Sequence, residues 1–218
     1  MGLNMSEILK ELAEKRKFFV SEADFQLALA WKLKKHKDIK EVLLEYPIKG
    51  TTTNDPNKVI HLDILAIDTD GKWIPIELKY KTKGCELMIE EGPEPTTVKL
   101  ANQSAQDIGR YLFLRDIQRI EAIRGKDGCP FAEGYAILIT NDHSYEKEKT
   151  GTKDWEFSLH PHELPAGKLK WQQGSVTGED KDPVELEDTY KIEWGEYSTQ
   201  GDQTFDVLIV KTEPKTAQ

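Results

Sequence analysis

Two carboxylates and a lysine lie close together in the stretch VIHLDILAIDTDGKWIPIELKYKTK, from Val59 to Lys83: Asp63, Glu77 and Lys79. Val59 to Asp68 is rich in Val, Ile and Leu and reads as a strand; Trp73 to Tyr80 reads as a second, with turn chemistry at Thr69, Asp70 and Gly71. Side chains alternate faces along a strand, so Glu77 and Lys79 point the same way, their Cα atoms about 6.5 Å apart. Whether Asp63 joins them depends on the loop. A two-residue Asp70-Gly71 turn sets Asp63 opposite Leu78, on the wrong face. A three-residue loop with Gly71 in the left-handed position pairs Asp68 with Lys72 and Asp63 with Glu77. The second register converges the charges and is the one predicted.

Two facing carboxylates repel one another and raise a pKa unless a cation lies between them. Mg2+ favours carboxylate oxygens together with retained water and substrate phosphates. A lysine beside such a pair can activate water and offset negative charge that grows on a pentavalent phosphorus. The chemistry implied is metal-assisted hydrolysis of a phosphodiester, with Mg2+ or Mn2+ as the ion.

Asp63 followed by Glu77-Leu78-Lys79 resembles the D…ExK signature of the PD-(D/E)XK nuclease superfamily, the restriction-endonuclease-like fold. Leu62 stands where the pattern has proline. The resemblance implies that Asp63 and Glu77 are metal ligands, that the Leu78 carbonyl is a third, and that Lys79 is the catalytic lysine. It also implies an acidic residue from the first helix, for which Glu22 is the best match. Nucleic acid, DNA ahead of RNA, is the implied partner, and a homodimer is compatible with the family's habits.

The elements that must position these residues read as follows. Ser21 can cap a helix that carries Phe25, Leu27 or Ala28, Leu29 and Leu33 to about Lys37. Val42 to Ile48 reads as the first strand, ended by Pro47 and the polar run GTTTNDPNK, a plausible substrate loop. Pro75 lacks an N–H, so full pairing of its strand is expected from Ile76 onward. Thr82 to Pro95 reads as an acidic loop and a candidate lid. From Thr96 or Thr97 a helix is predicted to about Arg124, with Val98, Ala101, Ala105, Ile108, Leu112 and Ile117 on its apolar face and Arg110 on its polar face. Gly134 to Thr140 is apolar throughout and reads as a strand buried on both faces. Helix, three strands, helix, strand is the αβββαβ order of a restriction-endonuclease-like core, so the fold class expected is α/β (α+β), a mixed central sheet flanked by helices. Residues 1–150 form this core. Residues 151–218 form an extension with a terminal hairpin, Asp188 to Trp194 and Thr204 to Lys211, packed upon it.

The rest of the composition bounds the reading. The formal charge of −9 opposes a general nucleic-acid binder, but 15 Lys and Arg face 13 Asp and Glu through residue 83, against 15 and 26 beyond it. No stretch approaches a membrane span or a signal peptide, so a soluble, cytoplasmic protein is expected. Cys85 and Cys129 are too few for a disulfide framework and read as free thiols. His61, two positions from Asp63, and His160, His162 and Glu163 in the extension read as ordinary polar residues. Two rivals to a nuclease stand beside it: a protein of the same fold that binds a protein or nucleic acid without cutting, and an unrelated α/β protein in which Glu77 and Lys79 form a plain strand salt bridge.

Overall fold

The computed structural model describes residues 2–49, 59–90 and 93–215. The GTTTNDPNK segment lies outside the described residues. Helix α1 spans Met5–Ala13, and α2 spans Glu22–Lys34. The strands of the first half are β1 (Ile39–Lys49), β2 (Val59–Asp68), β3 (Trp73–Lys81), β4 (Cys85–Ile89) and β5 (Thr96–Leu100). Helix α3 (Gln106–Arg124) and β6 (Gly134–Thr140) follow. A single 3-10 turn at Trp155–Phe157 leads to the short strands β7 (His162–Leu164), β8 (Gly167–Leu169), β9 (Val184–Leu186) and β10 (Tyr190–Ile192), and then to β11 (Trp194–Gln200) and β12 (Gln203–Thr212).

Six strands form a mixed central sheet in the order β1-β2-β3-β6-β12-β11. Only β3 and β6 run parallel; the other neighbours are antiparallel. Helices α1 and α2 cover one face, where Phe19, Phe25, Leu29 and Leu33 pack on Ile64, Ile76, Leu78 and Tyr80. Helix α3 covers the other face with Phe113, Leu114, Ile117 and Ile120 against Ala136 and Leu138. Every residue of β6 is buried, as expected of a strand covered on both sides. Pro47 is tolerated because β1 is an edge strand. The β3–β6 register begins at Ile76↔Tyr135, one residue after Pro75.

Ser21 Oγ accepts the Asp24 N–H at 3.1 Å and caps α2 as the sequence implies. Leu27, in contrast, is 58% exposed. Residues 3–13, whose role the sequence did not disclose, bury Met5, Ile8, Leu9 and Leu12 in the core on the α2 side.

Three expectations are corrected. Thr82 to Pro95 is not a loop and 96–105 is not helix: β4 and β5 form an antiparallel hairpin, from Cys85↔Leu100 to Ile89↔Thr96. The β-branched run Thr96-Thr97-Val98 suits a strand, and α3 starts only after Ala105, whose φ of 66° is left-handed. Phasing the helix on Val98, Ala101 and Ala105 therefore chose the wrong stripe; Leu112 is 40% exposed while Phe113 and Leu114 are buried. At the C-terminus, Tyr190–Ile192 pairs with His162–Leu164, and the hairpin partner of β12 is Trp194–Gln200. That hairpin packs on the core through Tyr197, Phe205 and Val207. It extends the core's own sheet, because β12 pairs with β6 along its length.

Candidate active site at the break between β2 and β3

The loop at Thr69 to Gly71 fixes the register of the site. The Asp68 N–H donates to the Lys72 carbonyl at 2.9 Å, and Gly71 has a φ of 79°, which suits glycine. The ladder then runs Ile67↔Trp73, Ala66↔Ile74, Leu65↔Pro75 and Ile64↔Ile76. Its next rung is Asp63 opposite Glu77, the predicted pair. At that rung the backbone ladder stops.

A second irregularity meets the same point from the other side. Leu44↔Ile64 and Tyr46↔Leu62 place Glu45 opposite Asp63, but this pair is not joined, and Glu45 has a φ of 50°. A non-glycine residue in that region carries local backbone cost. Asp63 is thus released from both neighbours.

Carboxylates take over the donors that the parting strands leave on β3. Residues two apart on a strand turn their N–H groups to the same edge, here Leu78 and Tyr80. Asp63 Oδ2 accepts from the Leu78 N–H at 2.6 Å, and Glu22 Oε2, from the first turn of α2, accepts from the Tyr80 N–H at 2.9 Å. Gln26, one helical turn after Glu22, donates to both the Asp63 carbonyl and Glu45 Oε1 at 2.7 Å. The helix cap at Ser21 is therefore what delivers Glu22 and Gln26 to the break.

Glu77 and Lys79 project toward α3. Glu77 is 2% exposed, and its Oε1 accepts from Arg119 at 2.7 Å. Lys79 Nζ lies 2.6 Å from Asp116 Oδ2 and donates to the Leu78 carbonyl at 2.9 Å. Asp116 Oδ1 is 3.4 Å from Arg119, which links the two pairs. The plain salt bridge between Glu77 and Lys79 is therefore not what forms; each finds its partner on α3.

Electrostatics follow from burial. Burial pushes the Asp63 carboxyl up, with Asp116 and Glu22 adding to it, against the pull of the Leu78 N–H and Lys79. Glu77 is pushed well above the usual carboxylate range, first by burial and then by Asp116, more than Arg119 can reverse. Burial acts to lower Lys79, but Asp116 and Glu22 outweigh it and hold the ammonium charged, above its ordinary value.

All of Asp63, Glu77, Leu78, Lys79 and Glu22 thus meet at one break in the sheet, and Asp116 and Arg119 join them unannounced. A signal for Asp116 exists in the sequence: it sits within the stripe Phe113, Ile117 and Ile120, where a charge needs a buried partner. His61 is exposed. Arg110, expected on the polar face of α3, is instead buried in an ion pair with Asp154. His160 and His162 stack with ring centroids 4.2 Å apart. Both cysteines are free thiols, and among the described residues no helix is long and apolar enough to cross a membrane. Compared with protein-family models, with curated proteins and with solved structures, the chain matches none.

Proposed function

We propose that the chain is a divalent-metal-dependent nuclease of the PD-(D/E)XK kind, with Asp63 and Glu77 as the metal ligands and Lys79 as the catalytic cation. The observation that carries this reading is the open rung: Asp63 and Glu77 face each other where the ladder ends, with Lys79 two residues on. The order αβββαβ, interrupted only by the β4/β5 hairpin, and the mixed sheet between helices agree with it.

The oxygen donors of Asp63 and Glu77 are of the kind a hard divalent ion takes. The carboxylates Glu22, Asp63, Glu77 and Asp116 line the break with the cations Lys79 and Arg119, so acidic groups outnumber basic ones there. Asp63 Oδ1 and Glu77 Oε2 take no hydrogen bond from the described residues, so each has an oxygen to give. Mg2+ when bound supplies Lewis acidity and makes water a better nucleophile. The chain's own part is positional. Asp63 is oriented by the Leu78 N–H, and Lys79, held charged by Asp116, presents a fixed cation to a phosphorane-like transition state rather than acting as a base. The Leu78 carbonyl already accepts from Lys79, which keeps the ammonium beside the proposed ligands. Glu22 holds the Tyr80 backbone in place and so acts as a positioning residue.

A second reading, a module of this fold that binds a protein or nucleic-acid partner without cutting, is favoured by the near-complete burial of Glu77 under Arg119. One assay separates them: incubation of single-stranded, double-stranded and branched DNA and RNA with Mg2+ or Mn2+. Cleavage that Asp63→Asn and Lys79→Ala both abolish supports the nuclease; no cleavage of any substrate supports the binding module.

A further inference from the structure

On the α3 side of the sheet a second group of ionisable side chains converges. His143 and Glu146 follow β6, and Asp206 lies on β12 opposite Thr140, which in turn pairs with Lys81 of β3. Asp206 is therefore two strand spacings, about 10 Å, from the end of the strand that carries Glu77 and Lys79. His143 Nδ1 is 2.8 Å from Asp206 Oδ2 and 3.1 Å from Glu146 Oε1. One ligand atom from each of the three lies within 4.8 Å of the others, and no other such trio of His, Cys, Asp or Glu occurs among the described residues.

A simple ion pair does not account for this cluster. One imidazolium cancels one carboxylate, and here two carboxylates share a single ring nitrogen. The cross-strand neighbour of Asp206 on β11 is Glu196, another acid. The donor spacing, in contrast, is what an ion asks for. Bonds of 2.0–2.1 Å from a tetrahedral centre place donors about 3.3 Å apart, near the 2.8 and 3.1 Å that separate His143 Nδ1 from the two carboxylates. The segment is also fixed in place: Asp142 accepts from Gln106 and from the Ser144 N–H, and Tyr145 is buried.

We propose that His143, Glu146 and Asp206 form a site for a first-row transition dication of the Zn2+ class, bound by one imidazole nitrogen and two carboxylates with water completing the coordination. A nitrogen in the donor set selects such ions over Mg2+, which the all-oxygen break between β2 and β3 suits better. Bound there, the ion ties the segment after β6 to β12 and so pins the C-terminal hairpin to the sheet. This site does not depend on the nuclease reading.

The test is titration of the full, metal-stripped chain with Zn2+ by calorimetry, and with Co2+ by visible absorption, each in excess Mg2+. The expected result is one Zn2+ per chain, a Co2+ absorption band, a rise in melting temperature with Zn2+, and affinity weakened about tenfold or more in His143→Ala and in Asp206→Asn, the loss that even an outer-sphere partner's removal causes. Asp63→Asn should leave this binding unchanged. Because the His143 side chain is 56% exposed, its replacement leaves the core intact, and Glu146→Gln gives a further variant should Asp206→Asn fail to fold. The proposal is overturned if the wild type takes up neither ion, if Mg2+ competes on equal terms, or if uptake survives in these variants.

Discussion

The two faces of β3 are built on opposite principles. Ile74, Ile76, Leu78 and Tyr80 look toward α1 and α2, are all buried and belong to one apolar cluster, and the Tyr80 hydroxyl accepts the Phe19 N–H. Glu77 and Lys79 look toward α3 and are nearly as buried, yet they are charged and held by Arg119 and Asp116. An apolar side chain buried in this position contributes about 1.5–3 kcal/mol. A buried ion pair contributes little or nothing beyond a well-packed apolar pair of the same volume, because desolvation offsets the Coulomb attraction. One face of the strand therefore holds the fold together, and the other retains charges whose use has to be sought outside stability. Several substitutions break or sharpen this contrast.

The largest effect on stability belongs to the apolar face. Leu78→Ala should cost about 3–4 kcal/mol, seen as a lower urea midpoint at unchanged slope, since Leu78 is fully buried. On the charged face, Arg119→Met alone should cost about 2–3 kcal/mol by leaving Glu77 without its partner, the value reduced because Arg119 is itself 28% exposed. The double variant Glu77→Leu/Arg119→Met should return to within about 1 kcal/mol of wild type. A double variant no better than the single would mean that the pair stabilises the fold in its own right.

Acidity gives a subtler contrast. Glu77 binds its proton more readily in the folded chain than in the unfolded one, where its ordinary value is 4.5. The folded state therefore carries the extra proton at pH above that value, and the stability Glu77 contributes is complete below about 4.5 and lost as pH rises through the higher folded pKa. Asp63 acts in the same sense. Unfolding midpoints taken from pH 4.5 to 8 should fall less steeply in Glu77→Gln than in wild type; identical slopes would count against the buried, partly uncompensated carboxylate. The smallest effect is at the cap: Ser21→Ala should cost about 1 kcal/mol and weaken the placement of Glu22 and Gln26 along with the helix.

Much of the site was legible because it depends on local rules. The alternation of β3, the three-residue turn ending at Gly71 and the Ser21 cap are each decided within a few residues, and together they put Asp63 opposite Glu77 and bring Glu22 to the same place. What was not legible depends on partners distant in sequence. Asp116 and Arg119 take their meaning from Glu77 and Lys79, some 40 residues earlier by the Arg119–Glu77 separation of 42. The β4/β5 hairpin was obscured by alanines at 101 and 105 that extend a helical pattern backward, although Thr96, Thr97 and Val98 oppose it. The placement of β12 beside β6 is a long-range pairing that alternation alone cannot assign.

The most direct test of the account is calorimetric titration of Mg2+ into the wild type, Asp63→Asn, Glu77→Gln and His143→Ala at neutral pH. The open rung between Asp63 and Glu77 predicts one Mg2+ site that Asp63→Asn and Glu77→Gln each remove and His143→Ala leaves intact. Absence of Mg2+ binding to the wild type, or binding unchanged in Asp63→Asn and Glu77→Gln, would contradict it.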